Sequence, residues 1–340
     1  MPPRATADRA SAARQGAASL RHALAVRAVG VVEFGGPEAL RVVELPEPWP
    51  GPGEVRISVR CAAVNPTDLA FRSGLPPQRF RGLSPPHVPG MDAAGTISAV
   101  GAGVHGWRVG DAVMAIVVPA SRSHGGAYAE EVVVPAESVA RIPAGASFAE
   151  ASTLPMNGLT ASLAMERLGR SEGQTLAVTG AAGAFGGYVI QLAKVAAARV
   201  IADASPMDED LVRRLGADEV VTRGDHLAER IRALVPEGVD GVADGALLNE
   251  RVAAAIRSGG VLVTLRGWSG EVGRDIRVHP IQVIREARNT AALDRLRELA
   301  EAGALTLRVA RVLPVEQAAE AHRLLAAGGV RGRLVLDFSH

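Results

Sequence analysis

From Val26 the chain alternates short apolar runs with breaks marked by Gly and Pro. VRAVGVVEF and LRVVELPEP read as strands around the turn Gly35-Gly36-Pro37. EVRISVRCAAVN (54–65) is another and stops at Pro66. A Pro/Gly-rich stretch runs from Gly74 to Gly90. The segments 93–101, 111–119 and 127–135 follow as strands. Short strands at this spacing predict a compact all-β unit, a barrel or sandwich. Near residue 148 the apolar period lengthens to that of a helix, through FAEASTLPMNGLTASLAMERLG. Strands and helices then alternate: TLAVTG, FGGYVIQLAKVAA, RVIAD, EDLVRRLG, DEVVT, LAERIRALV, VDGVADG, a helix over NERVAAAIRSGG, and VLVTL. That series predicts a parallel, doubly wound sheet. Two amphipathic helices, ALDRLRELAEAGAL and VEQAAEAHRLLAAGG, precede a last strand, RLVLDF.

The fold class is therefore α/β, with about two domains expected in 340 residues. Residues 1–25 are rich in Ala and Arg and lack an apolar h-region, which argues against a signal peptide. A disordered extension is expected there, with a short surface helix as the other reading. No apolar run has the roughly 20 residues that span a bilayer, so no membrane partner is expected and a cytoplasmic location is. Lys+Arg 37 against Asp+Glu 36 leaves a net charge of +1, and the aromatics number only Trp 3, Tyr 2 and Phe 6. Neither a phosphate-tracking charge nor a base-stacking platform is present, so nucleic acid is not an expected partner. The single cysteine, Cys61, excludes a disulfide within the chain and any zinc site built on two thiolates.

The strongest local signal is a strand running into Gly180-Ala181-Ala182-Gly183-Ala184-Phe185-Gly186 and then a helix. It is a dinucleotide fingerprint with Ala181 in place of its first Gly. Gly183 lets backbone approach a pyrophosphate, and Gly186 lets helix and strand pack closely. Asp203 ends the next strand about 20 residues on, where an acidic side chain accepts ribose hydroxyls and disfavours a 2′-phosphate. Ala204 and Ser205 continue into a segment with no Lys or Arg before Asp210. Asp240 and Asp244 bracket the fourth strand, and Asp244 is counted on the cofactor side, toward the nicotinamide. Arg331 and Arg333 in GGVRGR are candidates for the cofactor phosphates, an exposed turn being the other reading. His87 and His124 are loop histidines, more simply read as solvated.

EFGGPEALRVVELPEP, VNPTDLAFRSG, VPGMDAAGTISAVG, GGAYAEEVVVP, LPMNGLTA, GAAGAFG, LGADEVV and GGVRGRLVL occur in this order. Through them, from about Val26 to Phe338, the chain resembles a zinc-independent medium-chain dehydrogenase/reductase of the quinone oxidoreductase type. The resemblance implies a GroES-like β-rich catalytic domain (26–150 with 290–340) and a Rossmann domain (151–289). It implies NADPH or NADH, a homodimer, and a small-molecule quinone or carbonyl substrate in the cleft between domains. Zinc-dependent relatives carry Cys where this chain has Asn65 and His where it has Met91, so no metal is expected. By resemblance, Asn65 and Asp68 lie beside the nicotinamide and its ribose, with Thr160 near them. A Tyr that often follows the Asn-Pro motif in such relatives is missing here; Leu69-Ala70-Phe71 and Leu75-Pro76 stand there. The reaction implied is hydride transfer to a quinone or enone, with hydrogen bonds stabilising the oxyanion. Two other readings are an enoyl-thioester reductase of secondary metabolism and a non-catalytic dinucleotide-binding regulator. On cofactor choice the family leans to NADPH and Asp203 to NADH.

Overall fold

The computed structural model describes residues 25–169 and 172–339. The segment read above as an extension lies outside the described residues, apart from Ala25. Strands β1 (Ala25–Val31) and β2 (Leu40–Pro46) form an antiparallel hairpin. β3 (Glu54–Ala63) is followed by helix α1 (Pro66–Arg72), and then come β4 (Asp92–Val100), β5 (Ala112–Ile116), β6 (Glu131–Pro135) and β7 (Val139–Arg141). Helices α2 (Phe148–Ala151) and α3 (Pro155–Leu168) lead away from this unit. The one long helix expected from residue 148 is thus two, because Pro155 has no N–H to continue the first.

β8 (Thr175–Thr179), α4 (Ala184–Val195), β9 (Arg199–Ala204), α5 (Glu209–Arg214), β10 (Glu219–Thr222), α6 (Leu227–Leu234), β11 (Val239–Asp244), β12 (Ile256–Thr264) and β13 (Arg277–Pro280) build the second unit. Its strand order is β10-β9-β8-β11-β12-β13, every pair parallel. That is the doubly wound arrangement, with its order reversing between β8 and β11. The helix expected over NERVAAAIRSGG does not form. A 3-10 turn covers Asn249–Ala255, and Ile256 already opens β12. Gly259, at φ +70°, breaks any helical path there.

The chain then returns through α7 (Thr290–Glu301), β14 (Val309–Pro314), α8 (Ala318–Ala327) and β15 (Arg333–Asp337). β15 pairs antiparallel with β3, Val335 opposite Ala63, and β14 pairs with β15. The first sheet is therefore β14-β15-β3-β4-β5-β7, with β6 on β3. This is the GroES-like domain read from the sequence, closed by the C-terminal strands. β13 and β14 have no counterpart among the expected elements; RVHP is too short and polar to announce itself.

One apolar core crosses both domains. Met91, Met114 and Ile116 pack in the same cluster as Leu154, Leu159 and Met165 around α3, and as Val178 and Ile190 of the second unit. Helix α3 is the element that both sheets share. A second core fills the β unit, with Ile57, Ile97, Val113 and Tyr128 fully or almost fully buried.

On the wall of the β unit, the buried Arg56 bonds Glu47 at 2.5 Å and Ser98 at 2.9 Å. It lies 3.2 Å from Glu131 and 5.0 Å over the Trp49 ring. Removing one partner of such a cluster leaves buried charge uncompensated, at about 3–5 kcal/mol. Arg56→Ala is expected to lower stability by about 3 kcal/mol or more in urea unfolding followed by circular dichroism. A loss below about 1 kcal/mol would show that water compensates Glu47 and Glu131.

Candidate functional site

The glycine loop leaves β8 through Gly180, whose φ of +63° suits glycine. A Cβ on Gly186 would stand 2.5 Å from the Gly180 oxygen and 2.7 Å from the Ala181 Cα. Helix α4 therefore lies against loop backbone as the fingerprint requires. A Cβ on Gly183 would touch only the Gly180 oxygen, at 3.0 Å, so its other side is open. Gly183 caps α4 with no side chain over the helix start. The first-turn amides of Ala184, Phe185 and Gly186 thus face outward as an anion seat. Arg308, which sequence reasoning missed, donates to the carbonyls of Ala182 (3.0 Å) and Gly183 (2.6 Å). It comes from the segment before β14, so the catalytic domain straps the loop of its neighbour. The loop, its open glycine and its uncapped helix fit a dinucleotide pyrophosphate.

Three expectations around this loop are corrected. Asp203 is 6% exposed, and its Oδ1 accepts the Ala181 N–H at 3.0 Å. It is committed to holding the loop in shape. Burial raises its pKa, while the Ala181 and Gly180 amides oppose that. Asp244 is fully buried and accepts the Thr179 hydroxyl (2.6 Å) and the Asn249 N–H (2.6 Å). It ties β8 to the turn after β11. Arg333 is buried and pairs through Nη2 with Asp92 at 3.5 Å, while its Nε has no protein partner. Ala204 is buried at the end of β9, and the Ser205 hydroxyl donates to Asp208.

The second half of the site is a buried polar network at the domain junction. Asn65 caps α1, and the Asn65 N–H donates in turn to Asp68 Oδ2 at 2.8 Å. Pro66 at the first helical position favours this start. The Asn65 Nδ2 donates to Asp92 Oδ2 (2.8 Å) and Ala63 O (3.4 Å), and its Oδ1 accepts from Asn157 (3.2 Å). Asp92 Oδ1 accepts the Met156 N–H at 2.7 Å, which fixes the start of α3. Asp68 further accepts from Gly90 N–H and the Tyr128 hydroxyl, both at 3.2 Å, and that hydroxyl lies 3.3 Å from His322 Nε2. Gly90 takes φ +106° here, and any Cβ would press into Tyr128.

Two further corrections follow. Asn65 is fully engaged and fully buried, so it organises the site without donating to a substrate oxygen. The Thr160 hydroxyl is committed to its own helix, donating to the Met156 carbonyl at 2.6 Å. Asn157, 7% exposed, keeps an amide hydrogen beyond its bond to Asn65. It sits inside the quoted LPMNGLTA, two residues past the Pro that starts α3, and that position was its only signal. Tyr128 was readable only as one of two tyrosines.

Burial dominates the electrostatics. It pushes the Asp68 carboxyl up to about 7 and raises Asp92, with Arg333 opposing both. It raises Tyr128, and it lowers His322 to about 3 with help from Arg72, so His322 is neutral. Cys61 is buried and pushed up to about 12, an inert core residue. At the two positions where zinc-dependent relatives carry ligands stand the engaged Asn65 and Met91, whose sulfur lies 3.3 Å from the Thr67 hydroxyl. Among the described residues no three His, Cys, Asp or Glu side chains are grouped to hold a metal, and no helix could cross a membrane.

Residues 51–144 match the alcohol dehydrogenase GroES-like domain family, and residues 215–336 the zinc-binding dehydrogenase family. A 2-methylene-furan-3-one reductase of Solanum lycopersicum is 32% identical over 275 residues, covering 78% of this chain and 69% of that one. A chloroplastic quinone-oxidoreductase homolog of Spinacia oleracea is 34% identical over 215 residues, 60% of this chain; the match spans 62% of that relative's length. The crystal structure of an NAD-dependent alcohol dehydrogenase superposes with a TM-score of 0.81 at 34% identity, over 92% of this chain and all (100%) of that one.

Gly183→Val is expected to abolish dinucleotide binding in calorimetric titration while leaving the thermal midpoint within a few degrees. Gly186→Val, which drives a side chain into loop backbone, is expected to lower the midpoint itself, overpacking costing roughly 1–3 kcal/mol. Unchanged affinity in Gly183→Val would misplace the loop. The Asp68 value of about 7 lies above that of an unfolded Asp, so its ionisation opposes folding. Stability it contributes is complete below the unfolded value and is lost as pH rises through about 7. Asp68→Asn lacks that loss, so its deficit against wild type is expected to shrink from pH 5 to pH 8, by about 2–3 kcal/mol. A constant gap in urea midpoints would mean that its three donors keep Asp68 ionised throughout.

Proposed function

We propose a function from a fixed premise: the chain belongs to the quinone oxidoreductase type of the medium-chain dehydrogenase/reductase family. The protein is an NAD(P)H-dependent reductase of a quinone or conjugated enone and works without a metal ion. One observation carries this: the Asn65–Asp92–Asn157 network is tied to the start of α3, and α4, the helix that the anion-seating loop opens, is tied to the residues just before α3. The Met156 amide at the start of α3 bonds Asp92, and Thr153 just before it lies 3.1 Å from Tyr188 of α4. The relatives' names, a quinone-oxidoreductase homolog and a furanone reductase, support the same acceptor class.

When bound, NAD(P)H supplies a hydride from C4 of its nicotinamide. The amides at the start of α4 hold the pyrophosphate, and Arg308 beside them adds positive charge. Asn65 is locked by Asp92 and in turn fixes the Asn157 amide. The remaining Asn157 hydrogen donates to the acceptor's carbonyl oxygen as charge develops there, in a site whose polar groups are already oriented. Asp68 and Asp92 already take several donors each and Tyr128 is turned inward, so solvent water delivers the proton.

The test is the fall in absorbance of NADH and NADPH with 1,4-naphthoquinone and a panel of enones, using protein purified without added zinc. Consumption that persists in excess chelator is expected. Activity lost to chelator and restored by zinc would overturn the metal-free reading, and no consumption with any acceptor would overturn the enzyme.

A further inference from the structure

The turn after β9, Ser205 to Asp208, lies where a doubly wound sheet meets the adenosine ribose of a dinucleotide. With Asp203 committed to the glycine loop, the carboxylate left in that turn is Asp208. It is 6% exposed and held by three donors. The Arg331 guanidinium grips it as a fork, Nη2 to Oδ2 at 2.6 Å and Nε to Oδ1, and the Ser205 hydroxyl donates to Oδ2. A guanidinium fork beside a hydroxyl is also how a phosphate is held.

Arg331 comes from the turn before β15. Two residues on, the Arg333 N–H bonds the Arg308 carbonyl at 2.8 Å, and the Arg308 guanidinium rests on the glycine loop. The Arg331 side chain therefore runs from beside the pyrophosphate seat to the turn after β9, across the mouth that the ribose must enter. Arg223, whose N–H bonds the Ala204 carbonyl at 2.9 Å, stands on the far side. As the pair stands, Arg331 is neutralised and an anion already occupies its fork. A 2′-phosphate of charge near −2 would meet the Asp208 charge at close range.

We propose that the Asp208–Arg331 ion pair selects the cofactor: paired, it admits the uncharged ribose diol of NADH, and without the Asp208 charge it takes the 2′-phosphate of NADPH. The proposal rests on the dinucleotide reading above and adds the residues that discriminate within it. Asp203 then has an effect of another kind, since loosening the loop weakens both cofactors alike.

Calorimetric titration of NADH and NADPH tests this on wild type, Asp208→Asn, Asp208→Ser, Asp208→Asn with Arg331→Met, and Asp203→Ala. Wild type is expected to bind NADH more tightly. Asp208→Asn and Asp208→Ser are expected to shift the ratio of dissociation constants toward NADPH tenfold or more, and Arg331→Met to cancel that shift. Asp203→Ala is expected to weaken both cofactors with the ratio unchanged. A ratio unmoved by both Asp208 variants, or a gain in NADPH affinity that survives Arg331→Met, would overturn the proposal. Wild type binding neither dinucleotide would instead overturn the reading beneath it.

Discussion

The Asp92 carboxylate is the interaction on which the rest depends. It opens β4 fully buried, and three parts of the chain distant in sequence converge on it. The Asn65 amide arrives from the end of β3, the Met156 N–H from the start of α3, and the Arg333 guanidinium from β15. A carboxylate so far from water is costly unless every lone pair finds a donor. That requirement sets the angle at which α3 leaves the β unit, and α3 carries the core shared with the doubly wound sheet. The same carboxylate orients Asn65, which in turn accepts from the Asn157 amide.

The C-terminal strands serve both halves. β15 completes the β sheet through β3, and Arg333 at its start supplies the counter-charge to Asp92. Arg308, one strand over, grips the loop of the other domain, and Arg331 reaches the turn after β9. Three arginines at two adjoining strand starts thus reach the glycine loop, the turn after β9 and the buried Asp92. A net charge of +1 for the chain conceals this local concentration. It is an arrangement of position, and composition could not reveal it.

The sequence was legible where one residue type has one physical reason to be there. Gly186 is required by the close approach of helix and loop, and it stands where the pattern GAAGAFG put it, with Gly183 at the open start of the helix. The order of β8 to β12 followed from alternating periods. Legibility failed where a polar residue had to be assigned a direction. Asp203 and Asp244 read as cofactor-facing because they end strands, yet each turns inward to hold a backbone N–H. Strand-end position fixes the Cα and leaves the side chain free to choose. The network of Asp92, Tyr128, His322 and Asn157 escaped because contacts between residues up to 194 apart leave no periodic trace. The helix expected at 249–260 failed because Ala-rich spacing there competes with pairing to β11, and the tertiary pairing won.

If Asp92 organises the reacting site through Asn65 and Asn157, its removal must act on catalysis through Asn157 and not beside it. The most direct measurement is a double-mutant cycle of Asp92→Asn and Asn157→Ala on kcat/KM with 1,4-naphthoquinone, alongside cofactor affinity. The expected result is that Asp92→Asn lowers kcat/KM by about a hundredfold, roughly 2.7 kcal/mol, with cofactor affinity little changed. Adding Asn157→Ala should then cost almost nothing more. Fully additive losses would show that Asp92 and Asn157 act independently, and would contradict the account.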